Sequence, residues 1–81
     1  MNVTVKLFAR ARELAETSQA EISLTESATV NEMLSRLVID YPELATIRNS
    51  LLVAINNEYV AVDTIIPHDA EVACFPPVSG G

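Results

Sequence analysis

Glycine is almost absent from this 81-residue sequence, in which the only two glycines are Gly80 and Gly81. An average chain of this length would carry about six. Internal turns must therefore form without glycine, and a glycine-rich loop that cradles phosphate is excluded. The single cysteine excludes an internal disulfide framework and any cysteine-based zinc or iron–sulfur cluster built by this chain alone. The single histidine argues against a histidine-rich metal site.

Basic residues are also scarce, since five Lys and Arg stand against eleven Asp and Glu for a net charge of −6. This balance argues against nucleic-acid binding, which relies on basic residues that neutralise phosphates. An acidic surface can serve solubility alone, or it can attract a basic protein partner. No apolar run reaches the roughly 18 residues that span a membrane, and residues 1–4 do not resemble a signal peptide. We therefore expect a cytoplasmic protein.

Alternating and apolar runs predict five β-strands. Val3, Val5 and Leu7 alternate with polar residues, which is typical of a half-buried strand. The five predicted strands cover residues 2–8, 20–24, 51–55, 59–62 and 71–75. The pair Asn56-Asn57 separates the third strand from the fourth, and Asn is a common choice in turns that need positive φ.

A capping box marks the start of the main helix. Thr29 is followed three residues later by Glu32, and apolar residues then recur at helical spacing, which indicates a helix with one buried face. Pro42 disfavours helix at Tyr41, so the helix should end near residue 39 or 40. Residues 9–15, rich in Ala, Arg, Glu and Leu, predict a second, short helical turn.

The order strand, strand, main helix and three strands predicts an α+β fold. The β-grasp of ubiquitin-like proteins has this order, with a mixed sheet of about five strands and one main helix across one face. Residues 1–75 should form this domain. Residues 76–81 should form a flexible C-terminal tail, because Pro76 and Pro77 cannot donate to a strand ladder and stiffen the point of exit.

Alternation along the last strand assigns its faces. Cys74 should face the core and behave as a small, inert apolar residue. Phe75 should point outward, with its ring largely exposed. Phe8 falls on the polar side of the alternation in the first strand, so it is either a strand-end residue folded over an edge or an exposed contact.

We find no group of residues that could catalyse a reaction alone. His68 and Asp69 are neighbours in a turn, and adjacent residues do not make a catalytic pair without a third group. The remaining candidate for a reactive group is the Gly80-Gly81 terminus. It is either a frayed end or a slender arm with a reactive carboxylate, since residues without Cβ can pass through a narrow active-site channel.

The ending Phe75–Gly81, with the sequence Phe-Pro-Pro-Val-Ser-Gly-Gly, closely resembles that of the molybdopterin synthase small subunits, a family of ubiquitin-like sulfur carriers. Weaker similarities cover most of the chain, at residues 7–9, 12–14, 54–56 and 71–73. Two turns depart from the family pattern: Glu16 stands near a frequent Gly, and His68-Asp69-Ala70 stands where Asp-Gly-Asp is common. Because Asp tolerates left-handed backbone, we expect the fold to be kept.

The resemblance implies a reaction at the C-terminus. The Gly81 carboxylate would be adenylated by a ubiquitin-activating-type adenylyltransferase that uses ATP, and then converted to a thiocarboxylate. Its sulfur would pass to cyclic pyranopterin monophosphate and form the dithiolene of molybdopterin. The tail residues Pro76, Pro77, Val78, Ser79 and Gly80 would carry the carboxylate into the large subunit. Acid–base groups should come from that subunit, so this chain would be the non-catalytic sulfur-donor subunit of a sulfurtransferase whose active site lies on the large subunit.

The resemblance also implies partners. These are the molybdopterin synthase large subunit, in an assembly of two large and two small subunits, the adenylyltransferase, and a sulfur source such as a cysteine desulfurase. Phe8, Tyr59 and Phe75 would form the apolar docking surface. No bound cofactor or metal is expected. Two alternatives stay open: a sulfur carrier for thiamine thiazole or RNA thiolation, and a ubiquitin-like protein modifier.

Overall fold

Short apolar runs separated by turns fold into one mixed sheet with helices on one side. The computed structural model describes residues 1–77. Its elements are β1 (Asn2–Leu7), α1 (Ala9–Ala15), β2 (Gln19–Ser23), α2 (Val30–Asp40), β3 (Leu52–Ile55), β4 (Glu58–Val60) and β5 (Val72–Phe75), with two 3-10 turns at Pro42–Thr46 and Arg48–Ser50. The five predicted strands and both helices are confirmed, although β4 ends two residues earlier than expected.

The strand order across the sheet is β2-β1-β5-β3-β4. The middle strand, β5, runs parallel to β1, and the other three neighbouring pairs are antiparallel. This mixed five-stranded sheet with one main helix is the β-grasp arrangement that the element order predicts. The parallel pairing brings the end of β1 beside the end of β5, because Leu7 lies opposite Cys74.

Helix α2 begins and ends where the sequence indicates. The Thr29 hydroxyl accepts a hydrogen bond from the Glu32 backbone N–H, and the Glu32 carboxylate accepts one from the Thr29 backbone N–H, which completes the capping box. Its apolar stripe is buried against the inner face of the sheet, with contributions from Val30, Met33, Leu34 and Leu37. Within residues 1–77 no polar or charged residue is buried in the core. None of the helices in that range is long and apolar enough to cross a membrane.

Turns that often use glycine are made here by other residues with positive φ. Asn56 and Asn57 have φ of 51° and 72°, so the β3–β4 hairpin closes through a two-residue loop of the type that needs two left-handed residues. Glu16 ends α1 with φ of 58°, and Asp69 also has φ of 58°. The two turns that depart from the family pattern therefore contain left-handed backbone at Glu16 and at Asp69 without glycine.

Candidate functional site

The last strand separates core residues from surface residues. Val72 and Cys74 are fully buried, whereas Ala73 and Phe75 lie on the outward face of the sheet. This is the assignment that alternation predicts. The outward residues therefore lie immediately before Pro76, the point at which the chain leaves β5.

Three aromatic rings meet at this end of the sheet and form what we call the aromatic patch, made of Phe8, Tyr59 and Phe75. The Phe8 and Phe75 rings stack with their centroids 4.7 Å apart and their planes within 7°. Tyr59 approaches Phe75 edge-on, with centroids 6.1 Å apart. The structure thus brings together the three residues that the resemblance implies for docking. Whether a partner binds there stays a prediction.

Phe75 is less exposed than we expected from the sequence. Its ring is half-buried, not largely exposed, because the Phe8 ring covers one of its faces. Phe8 and Tyr59 remain 38% and 69% exposed. The three rings of the patch therefore pack against one another before any partner binds. Such aromatic pairs contribute about 0.5–1.5 kcal/mol to the free energy of folding beyond the effect of the area that they bury.

The parallel pairing of β1 and β5 explains the position of Phe8. Its backbone N–H donates to the Cys74 carbonyl oxygen at 3.3 Å, which extends the contact between the two strands by one residue. Ala9 then has φ of 51° and turns the chain into α1. Both alternatives for Phe8 hold in part, since it is a strand-end residue bent over a neighbouring strand and it also remains exposed.

Sequence reasoning missed one member of this surface. Leu52 lies opposite Phe75 in the β3–β5 register and is 45% exposed. The signal is present, because alternation along a strand places Leu52 on the face opposite Val53, and Leu52 is the one exposed residue of β3. An apolar run such as residues 51–55 hides that alternation, since the outward positions are as hydrophobic as the inward ones.

The predicted tail is only partly within the described residues. Pro76 is half-buried and Pro77 is exposed. The predicted roles of Val78, Ser79, Gly80 and Gly81 fall outside the described residues.

The other candidate reactive groups do not form a catalytic arrangement. Burial raises the pKa of the Cys74 thiol to about 12, so it is protonated at neutral pH and is a poor nucleophile. His68 Nε2 lies 2.7 Å from Glu26 Oε1 in an exposed pair between two turns. Within residues 1–77 no group of three or more His, Cys, Asp or Glu side chains is placed to hold a metal ion.

Comparison with known proteins gives consistent similarities. The model of the ThiS family matches residues 5–81. A molybdopterin synthase sulfur carrier subunit from Arabidopsis thaliana is 36% identical over all of this chain and 84% of its own length. The crystal structure of SAMP1 from Haloferax volcanii superposes over the full length of this chain and of its own, with a TM-score of 0.88 and 30% sequence identity.

A more distant structure shares the fold. It is described as a protein–protein complex of subunits 1 and 2 of molybdopterin-converting factor from Helicobacter pylori, and the matched chain has 18% identity and a TM-score of 0.69, with full coverage of both chains. At this identity the likeness extends to the fold alone.

Proposed function

Because the chain belongs to the ThiS family, we propose that it is the sulfur-carrier subunit of a molybdopterin synthase. The observation that carries the proposal is the place of the aromatic patch. Phe75 is the last residue of β5, and the chain leaves the sheet directly after it. A partner that covers the patch would therefore hold the start of the tail, and residues 76–81 could then reach an active site in that partner.

The reactive group in this proposal is the Gly81 carboxylate. Adenylation by ATP would give an acyl-adenylate with release of pyrophosphate. The persulfide of the sulfur source would then displace AMP, and a thiol would reduce the resulting acyl disulfide to the thiocarboxylate and itself be oxidised to a disulfide. The thiocarboxylate sulfur would attack a carbon of cyclic pyranopterin monophosphate and displace one oxygen substituent, which gives a thioester. Hydrolysis of the thioester would then leave the sulfur on the substrate and restore the carboxylate. The tether makes the attack effectively intramolecular, which lowers its entropic barrier. Two carriers would be needed for each dithiolene.

The partner in this proposal is the large subunit of the synthase. The Helicobacter pylori structure is described as a complex of subunits 1 and 2 of molybdopterin-converting factor, which supports the pairing of a small subunit with a different subunit. We extend the proposal to an assembly of two large and two small subunits, to a ubiquitin-activating-type adenylyltransferase and to a sulfur source such as a cysteine desulfurase. Phe8, Tyr59 and Phe75 would contact the large subunit in that assembly.

A second candidate function is protein modification. Its support is the likeness to SAMP1, a small archaeal modifier protein, at 30% identity. In that case the activated Gly81 carboxyl would form an isopeptide bond with a lysine amine of a target, not a bond to sulfur. The two functions share activation and differ in the acceptor.

One experiment separates them. The chain is incubated with the adenylyltransferase, ATP and a sulfur source, and its intact mass is measured before and after addition of the large subunit and the pterin substrate. The mass of a sulfur carrier should rise by the difference between one sulfur and one oxygen atom. It should return to its original value as molybdopterin forms. Stable adducts with other proteins, without molybdopterin formation, would favour the modifier.

A further inference from the structure

A concave pocket of about 160 Å3 lies on the outward face of the sheet, beside the aromatic patch. Its floor consists of two small residues, Ala54 and Ala73, which are register partners on β3 and β5. Tyr59, opposite Ala54 on β4, lines one side. Residues 71, 73 and 75 follow one another along the outward face, so Phe75 lies at one end of the pocket and Glu71 at the other. Asn57 also lines the pocket, which therefore combines an apolar floor, aromatic walls, one amide and a carboxylate.

This combination is complementary to a long side chain with a flat cationic head. Aromatic faces attract cations, and a carboxylate pairs with them directly. A guanidinium suits the site better than an ammonium, because it is planar, stacks on rings and is less strongly hydrated. We infer that the pocket receives an arginine side chain of the large subunit, with its guanidinium between the aromatic walls and Glu71. This inference rests on the proposed function.

The charge around the pocket supports a cationic occupant. The chain carries a net charge of −6, which favours the approach of a basic surface. Glu71 already pairs with one cation, Lys6, whose Nζ lies 3.5 Å from Glu71 Oε2. Lys6 lies opposite Ala73 in the parallel ladder, so it reaches Glu71 from the neighbouring strand.

Lys6 is a weak competitor for Glu71. Its side chain and that of Glu71 are 44% and 55% exposed, and ion pairs this exposed contribute little. An arginine that also stacks on Tyr59 and Phe75 makes contacts that Lys6 does not make. Removal of the Glu71 charge should therefore weaken binding of the large subunit, and removal of the Lys6 charge should strengthen it.

The test measures affinity for the large subunit by calorimetric titration of the full chain. Glu71→Gln should weaken binding about tenfold, because it removes the charge and keeps the shape. Lys6→Gln should strengthen binding about threefold, because the competing cation is lost. Glu21→Gln is the matched control: it removes one carboxylate from the outward face at β2, away from the pocket, and should change affinity less than twofold. Melting curves of all variants check that the fold is kept.

Arginine footprinting identifies the occupant. The large subunit is treated with phenylglyoxal, free and in complex, and modified arginines are located by mass spectrometry. One arginine should be protected by the wild-type chain and reactive again with Glu71→Gln. Ala73→Leu, which fills the pocket, should also expose that arginine and weaken binding at least tenfold.

Three results would overturn the inference. Equal affinity of wild type and Glu71→Gln would show that no cation binds there. Sensitivity to Ala73→Leu alone would indicate an uncharged occupant. Failure of the wild-type chain to protect any arginine of the large subunit from phenylglyoxal would show that the occupant is not an arginine. Each of these leaves the sulfur-carrier proposal standing if the wild-type chain binds the large subunit. Failure of the wild-type chain to bind would count against both.

Discussion

Phe75→Ala should weaken the complex with the large subunit and also destabilise the free protein. The ring stacks on Phe8 and meets Tyr59, so its truncation removes an aromatic pair contribution of about 0.5–1.5 kcal/mol together with part of its buried area. We expect the free energy of unfolding to fall by about 1–2 kcal/mol, below the 3–5 kcal/mol typical of a fully buried Phe. In a domain of this size that corresponds to a melting temperature about 5–15 °C lower.

The loss of binding should be the larger effect. An aromatic anchor at the centre of an interface typically contributes about 2 kcal/mol or more, so the dissociation constant should rise about thirtyfold. Calorimetric titration against the large subunit measures the affinity, and thermal melting of the free chain measures the stability. Both are read below the melting temperature of the variant, so that unfolding does not lower the apparent affinity.

Phe8→Ala provides the matched control, because it removes the same stack from the other side. The double variant should cost about 1 kcal/mol less stability than the sum of the two single variants, which is the coupling between the rings. If Phe75→Ala binds the large subunit with unchanged affinity but has a much lower melting temperature, the reasoning is refuted, because the patch would then stabilise the fold and not bind a partner.

Three further predictions concern the tail, the thiol and a turn. Deletion of Gly81, or one residue added after it, should abolish sulfur transfer in a molybdopterin assay and leave the melting temperature unchanged. Cys74→Ala should retain transfer and lower stability by about 1–2 kcal/mol. Because burial raises the Cys74 pKa from 9.0 to about 12, the unfolded chain ionises first, so wild-type stability should fall as the pH rises above 9, and denaturant titrations should show a smaller fall for Cys74→Ala. Asn57→Ala should cost about 1 kcal/mol because φ there is 72°, whereas Asn57→Gly should be neutral or stabilising.

Local signals in the sequence predict where the helices, strands and turns begin and end, but they do not predict which strands lie side by side. The capping box at Thr29 and Pro42 set the limits of α2, and Asn56-Asn57 set the hairpin, because each acts through backbone geometry within a few residues. The two 3-10 turns at Pro42–Thr46 and Arg48–Ser50 are not predicted, although Pro42 stands at the start of the first turn, where proline is common.

Contacts between distant strands account for what the sequence could not predict about the site. Alternation along one strand assigns faces, but it does not say which strand lies beside it. Phe8 covers Phe75 only because β1 and β5 run parallel at the centre of the sheet, which joins residues 67 positions apart. The half-buried state of Phe75 follows from that pairing, and so does the reach of Lys6 to Glu71.

The distribution of glycine supports a function for its last positions. Left-handed backbone occurs at six residues within 1–77, and none of them is glycine. A left-handed residue with a Cβ costs roughly 1 kcal/mol or more in the folded state, but it has fewer unfolded conformations to lose than glycine has. For a small domain with a thin core this exchange limits the net loss of stability. Glycine is thus not used even where the backbone would favour it, so its presence at residues 80 and 81 calls for a reason other than turn formation. Passage through a channel too narrow for a Cβ is such a reason, and the proposed entry of the tail into the large subunit provides it.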